Sequence, residues 1–85
     1  MKIKDGYKLI PFADGYAATC VSGESNTVIS LNETSAMLWR ALEGGADADT
    51  LCKVLTDNFE VDGQRAMADV QNFVSALRSA NLLTD

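Results

Sequence analysis

A chain of 85 residues has room for one compact core, and 47% apolar against 22% charged residues is a globular balance rather than that of a disordered segment. Twelve Asp and Glu against seven Lys and Arg leave a formal net charge of -5. That disfavours nucleic acid, whose binding draws its affinity from phosphate neutralisation, and favours a protein or peptide partner.

The opening residues, Met1 to Gly6, lack the apolar stretch of a secretion signal. No apolar run approaches the roughly 18 residues needed to cross a bilayer. A cytoplasmic chain, one domain over residues 1–85 with no membrane contact, is expected. Tyr7 to Phe12 and Tyr16 to Val21 are short aromatic or β-branched runs separated by Ala13-Asp14-Gly15, which predicts a hairpin. Pro11 has no N–H for a ladder, so the first of these strands is an edge or ends there. A second turn at Ser22 to Asn26 leads to a third strand, Thr27 to Leu31.

The hydrophobic period then changes from two to about 3.6. Asn32 is a favoured N-cap with Glu33 in the first turn, and a helix to about Glu43 closes on Gly44-Gly45. Asp47 caps a second helix with Leu51, Val54, Leu55 and Phe59 on one face. Asp62 caps a third, with Ala66, Val70, Phe73, Val74 and Leu77 in a stripe, ending near Asn81 before Leu82 and Leu83 fold back onto the core. Three strands followed by three helices define an α+β domain of winged-helix type, with a three-stranded antiparallel sheet on one side of the helices.

Catalytic groupings are missing. Without histidine the chain lacks the commonest general base and metal ligand, and a Ser-His or Cys-His pair is impossible. The carboxylates are spread over loops and helix starts, where they serve as caps and solvated faces, and no Gly-rich loop precedes a Lys-Ser or Lys-Thr to cradle phosphate. Cys20 and Cys52 lack metal or redox spacing and read as small buried hydrophobes. Trp39, at helical spacing from Ser35 and Leu42, reads as a core anchor. No catalytic residue, metal or cofactor is expected, and the chain is expected not to be an enzyme.

The stretch Leu31-Asn32-Glu33-Thr34-Ser35-Ala36-Met37-Leu38-Trp39 resembles the LN-x-T-x-A-x-x-W signature of the PqqD-like family, named for a coenzyme PQQ synthesis protein. Gly44-Gly45, Phe59 to Asp62, Asp69 to Leu77 and Asn81-Leu82-Leu83 follow the family pattern in order, so the likeness spans nearly the whole chain. Ser35 and Asn81 stand where the family often has Gly. The resemblance implies a recognition element for the leader of a ribosomally made precursor peptide, which it presents to a separate maturation enzyme, commonly a radical SAM protein. PQQ assembly itself and lasso-type pathways are equally compatible with it.

In that family the leader adds as a strand beside the third strand and lies in a cleft against the third helix, so that main-chain hydrogen bonds give affinity and side-chain pockets give selectivity. Thr27, Val28, Ile29, Ser30 and Leu31 are the candidate edge, short and without Pro or Lys. Alternation sends Val28 and Ser30 to one face and Thr27, Ile29 and Leu31 to the other, which leaves open the face that lines the cleft. On the third helix Met67, Gln71, Val74 and Arg78 share a face that could meet the peptide, with Ile29 and Val74 as its apolar floor. Met67 and Arg78 each have a plainer reading, as core filler and as a cation at a helix C-terminus. Two other functions fit the same architecture. One is a DNA-binding winged-helix regulator, which the acidic charge and a third helix bearing only Arg65 and Arg78 disfavour; the other is a structural module that forms a homodimer through the same strand edge.

Overall fold

The computed structural model describes residues 1–20 and 28–84. Three capping side chains partition the helical half of the chain. Asn32 Oδ1 accepts from Ser35 N at 2.8 Å and starts α1, Glu33–Glu43. Asp47 Oδ1 accepts from Thr50 N at 2.8 Å and starts α2, Ala48–Asn58. Asp62 Oδ1 accepts from Arg65 N at 2.7 Å and starts α3, Gly63–Ser79. Each pairs one of the N–H groups that a helix start leaves without an intrahelical acceptor. The first helix is closed by Gly45 at φ 90, and the chain turns after α3 through Asn81 at φ 62, a left-handed conformation that Asn tolerates better than most residues.

Ahead of the helices runs an antiparallel sheet of β2 (Tyr7–Phe12), β3 (Gly15–Cys20) and β4 (Val28–Leu31), in the order β2-β3-β4. The expected α+β architecture of three strands followed by three helices is therefore present. Pro11 lies in the edge strand β2, opposite Tyr16, where its missing N–H costs no central pairing. The hairpin turns through Ala13 at φ 53 and Asp14, with Phe12 opposite Gly15. Gly15 has a steric role: a Cβ there would stand 2.6 Å from the carbonyl oxygen of Leu31. Val21 of the expected second strand, the turn expected at Ser22 to Asn26, and Thr27 of the expected third strand lie outside the described residues.

Two further short strands were not anticipated. β1 (Lys2–Ile3) pairs antiparallel with β5 (Leu83–Thr84), with Lys2 opposite Thr84 and Ile3 opposite Leu83. Lys4 Nζ donates to Asn81 Oδ1 at 2.7 Å, and Lys4 N to the Leu82 carbonyl at 2.9 Å. Two-residue strands carry no readable alternation, so the pairing was invisible in sequence. Ile3 and Leu82 thereby join a core that also holds Leu31, Leu38, Trp39, Leu42, Leu51, Leu55, Ala66, Val70 and Leu77. Trp39 is fully enclosed, as its core-anchor reading required. The cysteines differ from expectation. Both are only half-buried, because Cys20 sits at the end of β3 and Cys52 on the flank of α2, where its thiol approaches the Gly63 carbonyl at 3.7 Å.

Candidate functional site

Among the described residues β4 pairs with β3 alone, so its other edge carries backbone groups unmatched by the sheet. Leu31's carbonyl faces β3, as its close approach to Gly15 shows. Within a strand the N–H and C=O of one residue point the same way, and the direction alternates along the chain. Ile29 and Leu31 therefore bond inward to β3, while Val28 and Ser30 turn their N–H and C=O to the open edge. Their side chains divide in step. Leu31 is buried and Ile29 packs against the core, whereas Val28 and Ser30 stand exposed on the outer sheet face. The face shared by Ile29 and Leu31 is the one turned to the helices.

A cleft of ≈ 430 Å³ begins where β4 ends. Asn32, Thr34, Ser35 and Leu38 form one wall from the start of α1, and Arg65, Asp69, Asn72 and Phe73 form the other from α3. Leu38 and the half-buried Phe73 supply apolar floor beneath a polar rim. The rim is electrically balanced, since Arg65 Nε lies 3.5 Å from Asp69 Oδ1 one helical turn away. With Asp69 engaging Arg65, α3 offers little free positive charge on this flank for a phosphate backbone.

The α3 residues singled out in the sequence occupy a different flank. Gln71, Val74 and Arg78 line a second groove of ≈ 400 Å³, together with Val70, Ser75, Ala48 of α2 and Met1. Among the described residues its lining includes nothing from β4. Met67 is half-buried and lines neither cavity as described. At about 100° per residue, positions 69, 72 and 73 fall on one side of α3 and 71, 74 and 78 on the other. The structure thus does not bring the strand edge and the Met67 to Arg78 face into one cavity; Asp69, Asn72 and Phe73 are the α3 side chains that share a cleft with the end of β4. A periodicity argument finds the core stripe of a helix but gives its two flanks equal standing, which is why these three were passed over.

Few other chemical features interrupt the surface. Arg40 lies over the Tyr16 ring, 5.1 Å from its centroid, and ties α1 to β3. Hydrogen bonds from Thr50, hydroxyl and backbone N–H together, hold the Asp47 carboxyl below the usual carboxylate range. Among the described residues no group of three or more His, Cys, Asp or Glu could hold a metal ion, and no helix is long and apolar enough to cross a membrane.

A small antiparallel sheet open at one edge, backed by three helices and cleft beside that edge, is the α+β winged-helix arrangement. Within that class the chain belongs to the PqqD family: the family model for coenzyme PQQ synthesis protein D matches residues 20–83. No curated protein sequence matches the chain. Among solved structures it is similar to TbiB1 in complex with the TbiA(beta) leader peptide, at TM-score 0.80 and 22% identity over 100% of both chains. It is also similar to lasso peptide synthetase B1 complexed with the leader peptide, at TM-score 0.79 and 19% identity over 99% of this chain and 96% of that one. At such identities these likenesses establish a shared fold.

Proposed function

We propose that this chain binds the leader of a ribosomally made precursor peptide by strand addition at β4 and hands the rest of the peptide to a separate maturation enzyme. The observation that carries the reading is the open edge of β4, where Val28 and Ser30 turn their backbone groups outward beside a cleft between α1 and α3. Membership of the PqqD family and the leader peptides bound to its structural neighbours support it. The main chain of the leader would pair with Val28 and Ser30, while alternate side chains enter the cleft over Leu38 and Phe73. The chain itself contributes binding and orientation; the covalent chemistry belongs to the partner, a radical SAM enzyme being the class that the family resemblance implies.

A fluorescein-labelled synthetic leader of the precursor encoded with this chain, titrated by anisotropy, tests binding. Amide hydrogen exchange with and without that peptide tests placement, because strand addition slows exchange at Val28 and Ser30 above all. Protection concentrated at Ala48, Gln71 and Val74 would move the leader to the other flank of α3. Val74→Asp separates the two placements in a second way: it weakens binding if Val74 and Ile29 form the apolar floor, and leaves it intact if Phe73 does.

A further inference from the structure

The three-stranded sheet ends in a strand edge on either side, since among the described residues β2 and β4 each pair with β3 alone. Of the two edge strands β2 is the longer, six residues against four. Main-chain hydrogen bonding reads no side chains, so an extended peptide can add to any open edge, and a longer edge offers it more bonds. What separates the two edges is the set of backbone groups that each turns outward.

Two observations give the phase of β2. Ile29 and Leu31 bond inward to Ala18 and Tyr16, so β3 turns the backbone groups of Gly15, Ala17 and Thr19 toward β2. Their partners Phe12, Ile10 and Lys8 bond inward in return, which leaves Tyr7, Leu9 and Pro11 facing the free edge. The turn agrees, because a four-residue turn over Phe12-Ala13-Asp14-Gly15 closes with a bond between its first and last residues. Pro11, exposed on that edge, has no N–H to offer, and its ring fills space that an added strand would need. The same register bears on self-pairing. A two-fold axis through Leu9 would set Tyr7 against the second copy's Pro11, Leu9 against its own counterpart, and Pro11 against the second copy's Tyr7. All are outward-facing positions, so two copies could share an antiparallel ladder of about six hydrogen bonds. One proline breaks that ladder at both ends, because symmetry places its ring opposite Tyr7 twice.

We propose that Pro11 closes the β2 edge, so that this sheet receives a peptide at β4 alone and does not pair with a second copy of itself through β2. The peptide half of the inference rests on strand addition at β4; the self-pairing half stands on the register of β2. The consequence is a receptor that loads one leader per chain. Two equivalent open edges would let one chain hold two precursors, or let β2 ladders join chains into larger assemblies, and either would compete with presentation of a single peptide to the maturation enzyme. Selectivity for the peptide thus depends on a residue that stands on the far strand of the sheet and touches no peptide.

Pro11→Thr tests this in the full chain, because threonine restores the N–H and suits a strand. The parent is expected to sediment as a monomer and to take one labelled leader per chain. In Pro11→Thr the expected result is a gain in self-association of about ten-fold or more by sedimentation and, with leader in excess, a second peptide per chain that protects Tyr7 and Leu9 from amide exchange. Pro11→Ala should show the same changes to a smaller extent, and it supplies the measurement if the threonine variant precipitates. Pro11 variants that keep the parent's circular dichroism, stay monomeric and bind a single leader overturn the proposal. A parent chain that already takes two leaders, or that dimerises with protection at Tyr7 and Leu9, overturns it as well. Self-association without a second leader upholds the self-pairing half and overturns the peptide half. Failure of the parent to bind any leader overturns strand addition at β4 instead, and sedimentation of the Pro11 variants still decides the self-pairing half.

Discussion

Ser30→Pro separates the leader-binding role of β4 from its structural role. The Ser30 N–H points to the open edge, so a proline there removes no bond of the β3–β4 ladder, and edge positions of this kind are where strands accept proline. Ile29, the residue before it, is already extended, which is the conformation proline demands of its predecessor. Loss of one backbone hydrogen bond to the leader costs about 1 kcal/mol. That is about a five-fold rise in Kd, and the ring, standing where the incoming strand must lie, adds to it. Ser30→Ala controls for the hydroxyl, which sits on the outer face and should not matter to affinity. Ile29→Pro is the converse, because the N–H it deletes bonds inward to β3; it should lower the melting temperature sharply. Anisotropy titration and thermal denaturation of the three variants give the full pattern. Equal leader affinity for Ser30→Pro and the parent would refute strand addition at this edge, and unfolding of Ser30→Pro would refute the assignment of its N–H.

Gly15→Ala must push β4 away from the hairpin to clear the Leu31 oxygen; a loss of about 1 to 3 kcal/mol in urea unfolding is expected, the usual cost of forced overpacking. Trp39→Phe should cost less than Leu42→Ala, for which about 2 to 5 kcal/mol is expected. The Trp39 indole N–H is buried with no hydrogen-bond partner, so its removal offsets part of the lost volume. Asp47, whose folded pKa is depressed, contributes stability that is present above its unfolded pKa near 3.8 and is lost as pH falls through the lower folded value. Asp47→Asn preserves the cap and removes the titration, so the two proteins should converge in melting temperature as the solution is acidified through that window.

The helical half was legible because its signals are chemical and local. Asn32, Asp47 and Asp62 can each accept a bond from the third residue on, and each does. The hairpin followed from Ala13-Asp14-Gly15 between two β-rich runs, and the family likeness from the Leu31 to Trp39 signature. What escaped was the product of long-range geometry. The β1–β5 ladder joins residues at opposite ends of the chain and is too short to show a period. The half-exposure of Cys20 and Cys52 depends on where strand and helix end against their neighbours. The flank of α3 that faces the end of β4 is fixed by how the helix rolls on the core, which places Phe73 in the cleft and Val74 in the opposite groove. Spacing alone treats adjacent helix positions alike; only tertiary packing distinguishes them.

The ladder between Lys2 and Thr84 brings these two residues to neighbouring points on the surface. A circular permutant is therefore accessible: a few glycines could join residue 84 to residue 2, and new ends could be opened at the exposed Gly44-Gly45 link between α1 and α2 without cutting an element. Such a rearranged chain would keep every strand pairing while reversing the order in which sheet and helical pair leave the ribosome.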